Sequence, residues 1–137
     1  MSGINIYGGS FSGDDKSGSA FEGVLAGMEA LASAEERATI AGIRAALSEA
    51  EDHIVVETAD VRRLLPGLRR YAAELEGQLA VPGDIFDQMV RDDQASPGRA
   101  TELQYGEGLG WRAWCARDLL RAFETADAES EQVALVW

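Results

Sequence analysis

Apolar residues recur at three- and four-residue steps through most of this chain, and that recurrence predicts helices. Phe21, Val24, Leu25, Met28 and Leu31 define a first helix over about 20–32, with Ser19 to Glu22 in capping-box form. Ser33 and Glu36 repeat that box, and Ile40, Ile43 and Leu47 carry a second stripe to about Glu51. Ile54-Val55-Val56 is β-branched and flanked by charge, so it reads either as a short strand or as the buried end of the second helix. Thr58, followed by Asp60, suits an N-cap with an acid in the first turn. Val61, Leu65, Leu68, Ala72, Leu75 and Leu79 then alternate steps of four and three, the seam pattern of packed helices. Pro66-Gly67 interrupts the seam, and a kink or restart is expected near Leu65. Asp84 caps a short helical segment bearing Ile85, Phe86, Met89 and Val90, and Ser96-Pro97 opens a brief one over 97–104. Leu109, Ala113, Ala116, Leu120 and Phe123 define a final helix to Ala126.

The two ends follow another rhythm. Ile4-Asn5-Ile6-Tyr7 alternates like a strand, whereas Gly8 to Ser19 has no helical period, so residues 1–19 are expected to form a flexible Gly/Ser-rich arm ahead of a helical domain over 20–137. The tail from Val133 to Trp137 reads as extended. It either docks on the chain's own Ile4 to Tyr7 or Ile54 to Glu57, or adds to a partner's sheet edge. The expected fold is a mostly α single domain of four or five amphipathic helices, with a minor sheet from the two termini and 54–57; an α+β fold is the alternative.

Composition narrows the classes of function. The chain has 137 residues and 46% hydrophobic residues, enough to bury about two-thirds of its unfolded surface. Twelve basic and twenty-four acidic side chains give a net charge of −12, which repels phosphate and anionic lipid, so neither nucleic acid nor membrane is an expected partner. The single cysteine, Cys115, allows no internal disulfide, and the first residues lack a signal-peptide pattern, so the cytoplasm is expected. Eleven of the twelve basic residues are arginine, which together with abundant alanine points to a bacterial coding bias.

Gly8 and Gly13 share the glycine spacing of a phosphate loop, but Asp14 and Asp15 stand where lysine and serine should follow. Ile6-Tyr7-Gly8-Gly9-Ser10-Phe11-Ser12-Gly13 resembles the glycine-punctuated, amyloid-like N-terminal signalling motifs of actinobacterial conflict-system proteins. The resemblance covers the N-terminal segment alone and implies stacking self-assembly.

Candidate chemistry is sparse. His53 and Cys115 are the only residues of their kinds and formally a nucleophile pair, yet no third orienting group is identifiable. Glu49, His53 and Glu57 would share a helical face, but the Glu-x-x-His pattern is missing because Ala50 occupies its place. No catalytic residue, metal site or cofactor is assigned. Arg62, Arg63, Arg69 and Arg70 flank the third helix's seam in two heptad-spaced pairs, positioned either to meet acids on neighbouring helices or to bind an acidic partner. Trp111 and Trp114 point away from the final helix's apolar stripe, beside Asp118 and Arg121. Either that helix is covered on two sides or the indoles form an interaction patch, with Val133, Leu135 and Trp137 of the tail as a second patch. The expected function is a small acidic protein-interaction or adaptor module of a bacterial conflict or signalling system, with a protein partner or a second copy. The alternatives are an acidic mimic filling a cationic groove and an enzyme with a dispersed carboxylate site.

Overall fold

A computed structural model describes residues 3–13, 16–79, 82, 84, 85, 87, 88 and 109–137. It is mostly helical, with a small antiparallel sheet. In chain order the elements are β1 (Gly3–Gly8), β2 (Phe11–Ser12), β3 (Lys16–Ser17), α1 (Gly18–Leu31), α2 (Ala34–Glu49), β4 (His53–Val56), α3 (Thr58–Gln78), α4 (Leu109–Glu129) and β5 (Val133–Val136). Asp84, Ile85, Asp87 and Gln88 are also helical. The remainder of the expected 84–90 segment and the whole of 97–104 lie outside the described residues.

The sheet is assembled from distant parts of the chain. Its order is β2-β1-β5-β4, with β3 also pairing with β1. Ile6 faces Leu135, which faces Ile54; Gly8 faces Val133, which faces Val56. These residues and Ile4 point to the helices, and all the apolar ones among them are buried. The expected boundary at residue 19 is therefore not a packing boundary. With Ile4 and Ile6 fully buried, β1 is an inner strand of the sheet rather than part of a flexible arm.

Within the glycine-punctuated stretch, two glycines have specific positions. Gly9 turns the chain from β1 to β2 at φ +52, in the left-handed region. Gly8 is where α4 touches the sheet: a Cβ there would lie 2.1 Å from the Ala122 carbonyl oxygen.

Helix α4 is the centre of the packing, meeting α1, α3, β1, β2 and β5. Its buried set includes Ala113, Trp114, Cys115, Ala116, Asp118, Leu119, Ala122, Phe123 and Ala126, which wraps most of its circumference. The single stripe read from the sequence is thus one of two. Helix α3 buries the expected Val61, Leu65, Leu68, Ala72 and Leu75, but also Leu64 and Tyr71, because it packs on both α2 and α4. It runs unbroken through Pro66, which sits on its exposed side, so of the expected kink or restart the restart does not occur.

Two helix starts illustrate the local rules. The Glu36 amide donates to Ser33 Oγ at 3.2 Å, and that hydroxyl donates to Glu36 Oε1 at 3.1 Å, capping α2 as expected. At α3 the N-cap is Glu57, not Thr58, and it makes no side-chain cap bond. Thr58 is already helical, and its hydroxyl donates to the Glu131 carbonyl at 2.8 Å, tying α3 to the α4–β5 connection instead. Between α2 and α3, the extended backbone of Ala50 ends the helix and the β-branched run becomes strand β4. No helix among the described residues is long and apolar enough to cross a membrane.

Candidate interaction surface

The four arginines of α3 meet acids on the two flanking helices. Arg62 pairs with Asp127 of α4 at 2.7 Å, and Arg69 approaches Glu124 of α4 at 3.9 Å. Arg63 pairs with Glu35 of α2 at 3.1 Å and Arg70 with Glu36 of α2 at 3.3 Å. The seven-residue spacing explains the division: Arg62 and Arg69 share the α4 side of the seam, and Arg63 and Arg70 share the α2 side. These guanidinium groups orient helices rather than forming an unengaged cationic patch.

The tryptophans are packed as well. Trp114 is buried, Trp111 is half-buried, and their rings meet edge to face with centroids 5.5 Å apart. An exposed indole pair does not form, because α4 is covered on the side they occupy. Farther along that face Asp118 is buried, and beside it Asp87, also buried, accepts from Arg117 Nε at 3.1 Å. Arg121 spans the two acids, its Nη1 3.4 Å from Asp118 and its Nη2 3.4 Å from Asp87. Arg117 also reaches Glu76 at the end of α3, at 3.1 Å. Sequence reading missed this cluster as a unit. Its only trace was the row Trp111, Trp114, Asp118, Arg121, which marks a second covered side of the helix.

His53 and Cys115 are not brought together. Cys115 is fully buried within α4, whereas the His53 side chain is on the far, exposed face of β4 and bonded to Asp52 Oδ1 at 2.6 Å. Glu49, His53 and Glu57 do not share a helical face, since α2 ends before His53. Among the described residues, no group of three or more His, Cys, Asp or Glu residues could hold a metal ion.

The C-terminal strand settles between both of its own candidate docking sites, pairing with β1 on one side and β4 on the other. Alternation then buries Val133 and Leu135 completely, so these two members of the expected tail patch point into the core. Trp137 is half-buried against the core, and its amide donates to the Asp52 carbonyl at 2.8 Å.

The outward positions are Ala134 and Val136. They place a short apolar row on the solvent side of the sheet: Tyr7, Ala134 and Val55 lie across three strands in register, next to the row Asn5, Val136, His53. Tyr7 and Val55 are each 39% exposed. A hollow of about 350 Å³ borders Tyr7 and Ala134 and is otherwise walled by Gly9, Glu129, Glu131 and Gln132. Glu129 clasps the β1–β2 turn, accepting from the Ser10 amide and hydroxyl, both at 2.9 Å from its Oε2. These bonds hold its carboxylate below its ordinary pKa.

Charge is unevenly compensated around this face. The described ion pairs of the arginines lie among the helices. Glu49, Glu51, Glu57 and Glu131 are exposed and form no ion pair among the described residues. Comparison with protein-family models, with curated proteins and with solved structures finds no match.

Proposed function

We propose that the chain is a small protein-interaction module that receives its partner on the side of the sheet that carries Tyr7 and Val55. The observation that carries this reading is the in-register row of Tyr7, Ala134 and Val55, apolar, half-open and on the side of the sheet opposite the buried Ile6, Leu135 and Ile54. A regular sheet surface is rigid and presents its side chains at fixed spacing, which lowers the entropy lost on docking. The negative charge of the whole chain disfavours nucleic acid and favours a protein with a complementary, cationic surface. An adaptor role in a bacterial conflict or signalling system is the wider setting proposed for such a module.

A photo-crosslinking side chain placed at Val55, with the exposed Glu74 on α3 as control position, tests the reading in cells of the native host. Crosslinked products from position 55 and none from 74 are expected. Crosslinking from the helical position alone would overturn it.

A further inference from the structure

Among the described residues the sheet ends on one side in the two-residue strands β2 and β3 and on the other in the four-residue strand β4. β1 is covered along its outer side by β2 and β3, and β5 is enclosed between β1 and β4. Among the described residues β4 pairs only with β5, and no backbone group of His53–Val56 is bonded on its other side. An unpaired strand edge is a template for another strand, and proteins commonly guard it by keeping it short and charged. Here the strand has four residues and acids stand at both ends: Glu51 and Asp52 before it, Glu57 after it. Glu131 joins Glu57, because the Thr58 hydroxyl bonds to the Glu131 carbonyl at 2.8 Å.

These charges discriminate among occupants. In an antiparallel pairing of two copies, Asp52 of one chain would approach Glu57 of the other, and like charges opposite one another are destabilising. A second copy is therefore repelled. A strand from another protein with lysine or arginine at its ends would meet acids at both. Its apolar residues on the solvent side would extend the row of Tyr7, Ala134 and Val55.

Resting on the interaction reading above, we infer that the partner docks as an extended, basic strand that adds to the free edge of β4. Main-chain hydrogen bonds would supply the register, the acids at the strand ends the choice of sign, and Val55 the apolar contact.

The test uses the full chain and a short synthetic peptide alternating valine with lysine. Two controls accompany it: the same peptide with glutamate for lysine, and one N-methylated at alternate residues. Fluorescence anisotropy reads binding, and amide hydrogen exchange reads its place. The basic peptide is expected to bind about tenfold or more tightly than the acidic one. It should slow exchange of the amides in His53–Val56 that point away from β5 and lose its affinity on N-methylation. Glu51→Gln combined with Glu57→Gln, both at exposed positions, should weaken it without unfolding the protein. Equal binding of both peptides, no binding of either, protection elsewhere than β4, or indifference to N-methylation would each overturn the inference. A self-association through β4 seen by light scattering would overturn it too. If the peptide leaves β4 unprotected while crosslinking through Val55 persists, edge pairing fails and the interaction reading stands; loss of the crosslink is the failure of that reading itself.

Discussion

Gly8 of the first strand lies directly against the main chain of Ala122 in the last helix, so close that a Cβ on Gly8 would sit 2.1 Å from the Ala122 carbonyl oxygen. The obstacle is backbone on both sides, and no side-chain rotation relieves it. Gly8→Ala should therefore push α4 off the sheet and cost about 3 kcal/mol or more, a fall of roughly 10 °C in thermal midpoint. Circular dichroism melts of the variant check this; an unchanged midpoint would mean that the helix–sheet contact is looser than the structure has it.

A second close contact lies between Gly27 of α1 and the ring of Tyr71 of α3, whose nearest atom would be 2.2 Å from an added Cβ. Burial pushes the Tyr71 phenol above its ordinary pKa, opposed in part by the nearby positive charge of Arg112. The neutral phenol is thus favoured by the fold. Its contribution to stability is complete below the unfolded value near 10 and declines as pH rises through the raised folded value. Tyr71→Phe keeps the ring over Gly27 and removes the titration. Its unfolding free energy should fall less than that of the parent between neutral and strongly alkaline pH, in urea titrations at matched salt; an identical alkaline loss in both proteins would rule out Tyr71 as the source.

Much of the fold was legible where one side of an element decides its sequence. The stripes of α1 and α2 gave helices with nearly correct limits, and Ile40, Ile43 and Leu47 are buried as their spacing requires. Legibility failed where an element is covered on several sides. Helix α4 buries most of its circumference, so its periodicity marks one face and leaves Trp114 and Asp118 looking like polar-side residues. The N-terminal strand was visible as Ile4 to Tyr7, but its membership in the sheet depends on β5, whose pairing with it spans nearly the whole chain. Composition alone reads the glycines of that region as flexibility. The structure uses Gly8 for close approach and Gly9 for a turn. The four arginines were placed on the right edges because the heptad fixed their geometry. For the tail both docking on the chain's own strands and a partner patch are open in the sequence, because alternation alone does not tell that Val133 and Leu135 face inward.

The buried acids on α4's second covered side carry another expectation. Asp87 is 1% exposed and is served by Arg117 and Arg121, of which Arg117 is the better buried. Removing Arg117 would leave that carboxylate in the interior with a weaker partner, and loss of one member of a buried ion pair costs about 3–5 kcal/mol. Arg117→Met should show a loss of that size in chemical denaturation. Adding Asp87→Leu should restore a large part of it, since no carboxylate is then stranded. A cost below about 1 kcal/mol for the single variant would place the pair in the class of solvated surface bridges.

Acid titration tests the clasp beside the proposed docking face. Hydrogen bonds from the Ser10 amide first, and then from its hydroxyl, hold the exposed Glu129 carboxyl below its ordinary pKa of 4.5. A depressed folded value means that the contact stabilises the native state above the unfolded pKa and is lost as pH falls through the folded one. The β1–β2 turn should therefore stay clasped at neutral pH and loosen only in acid. The hollow next to Tyr7 would lose the wall made by Glu129 with it. Carbon-detected NMR of the Glu129 carboxyl should give a midpoint below 4.5, with the Ser10 amide shift following the same curve. Ser10→Ala removes the hydroxyl and keeps the amide, so it should raise the midpoint only part of the way. A midpoint at the ordinary value in the parent protein would show that Glu129 does not hold the turn in solution, and that the edge of the face beside Tyr7 is set by the strands alone.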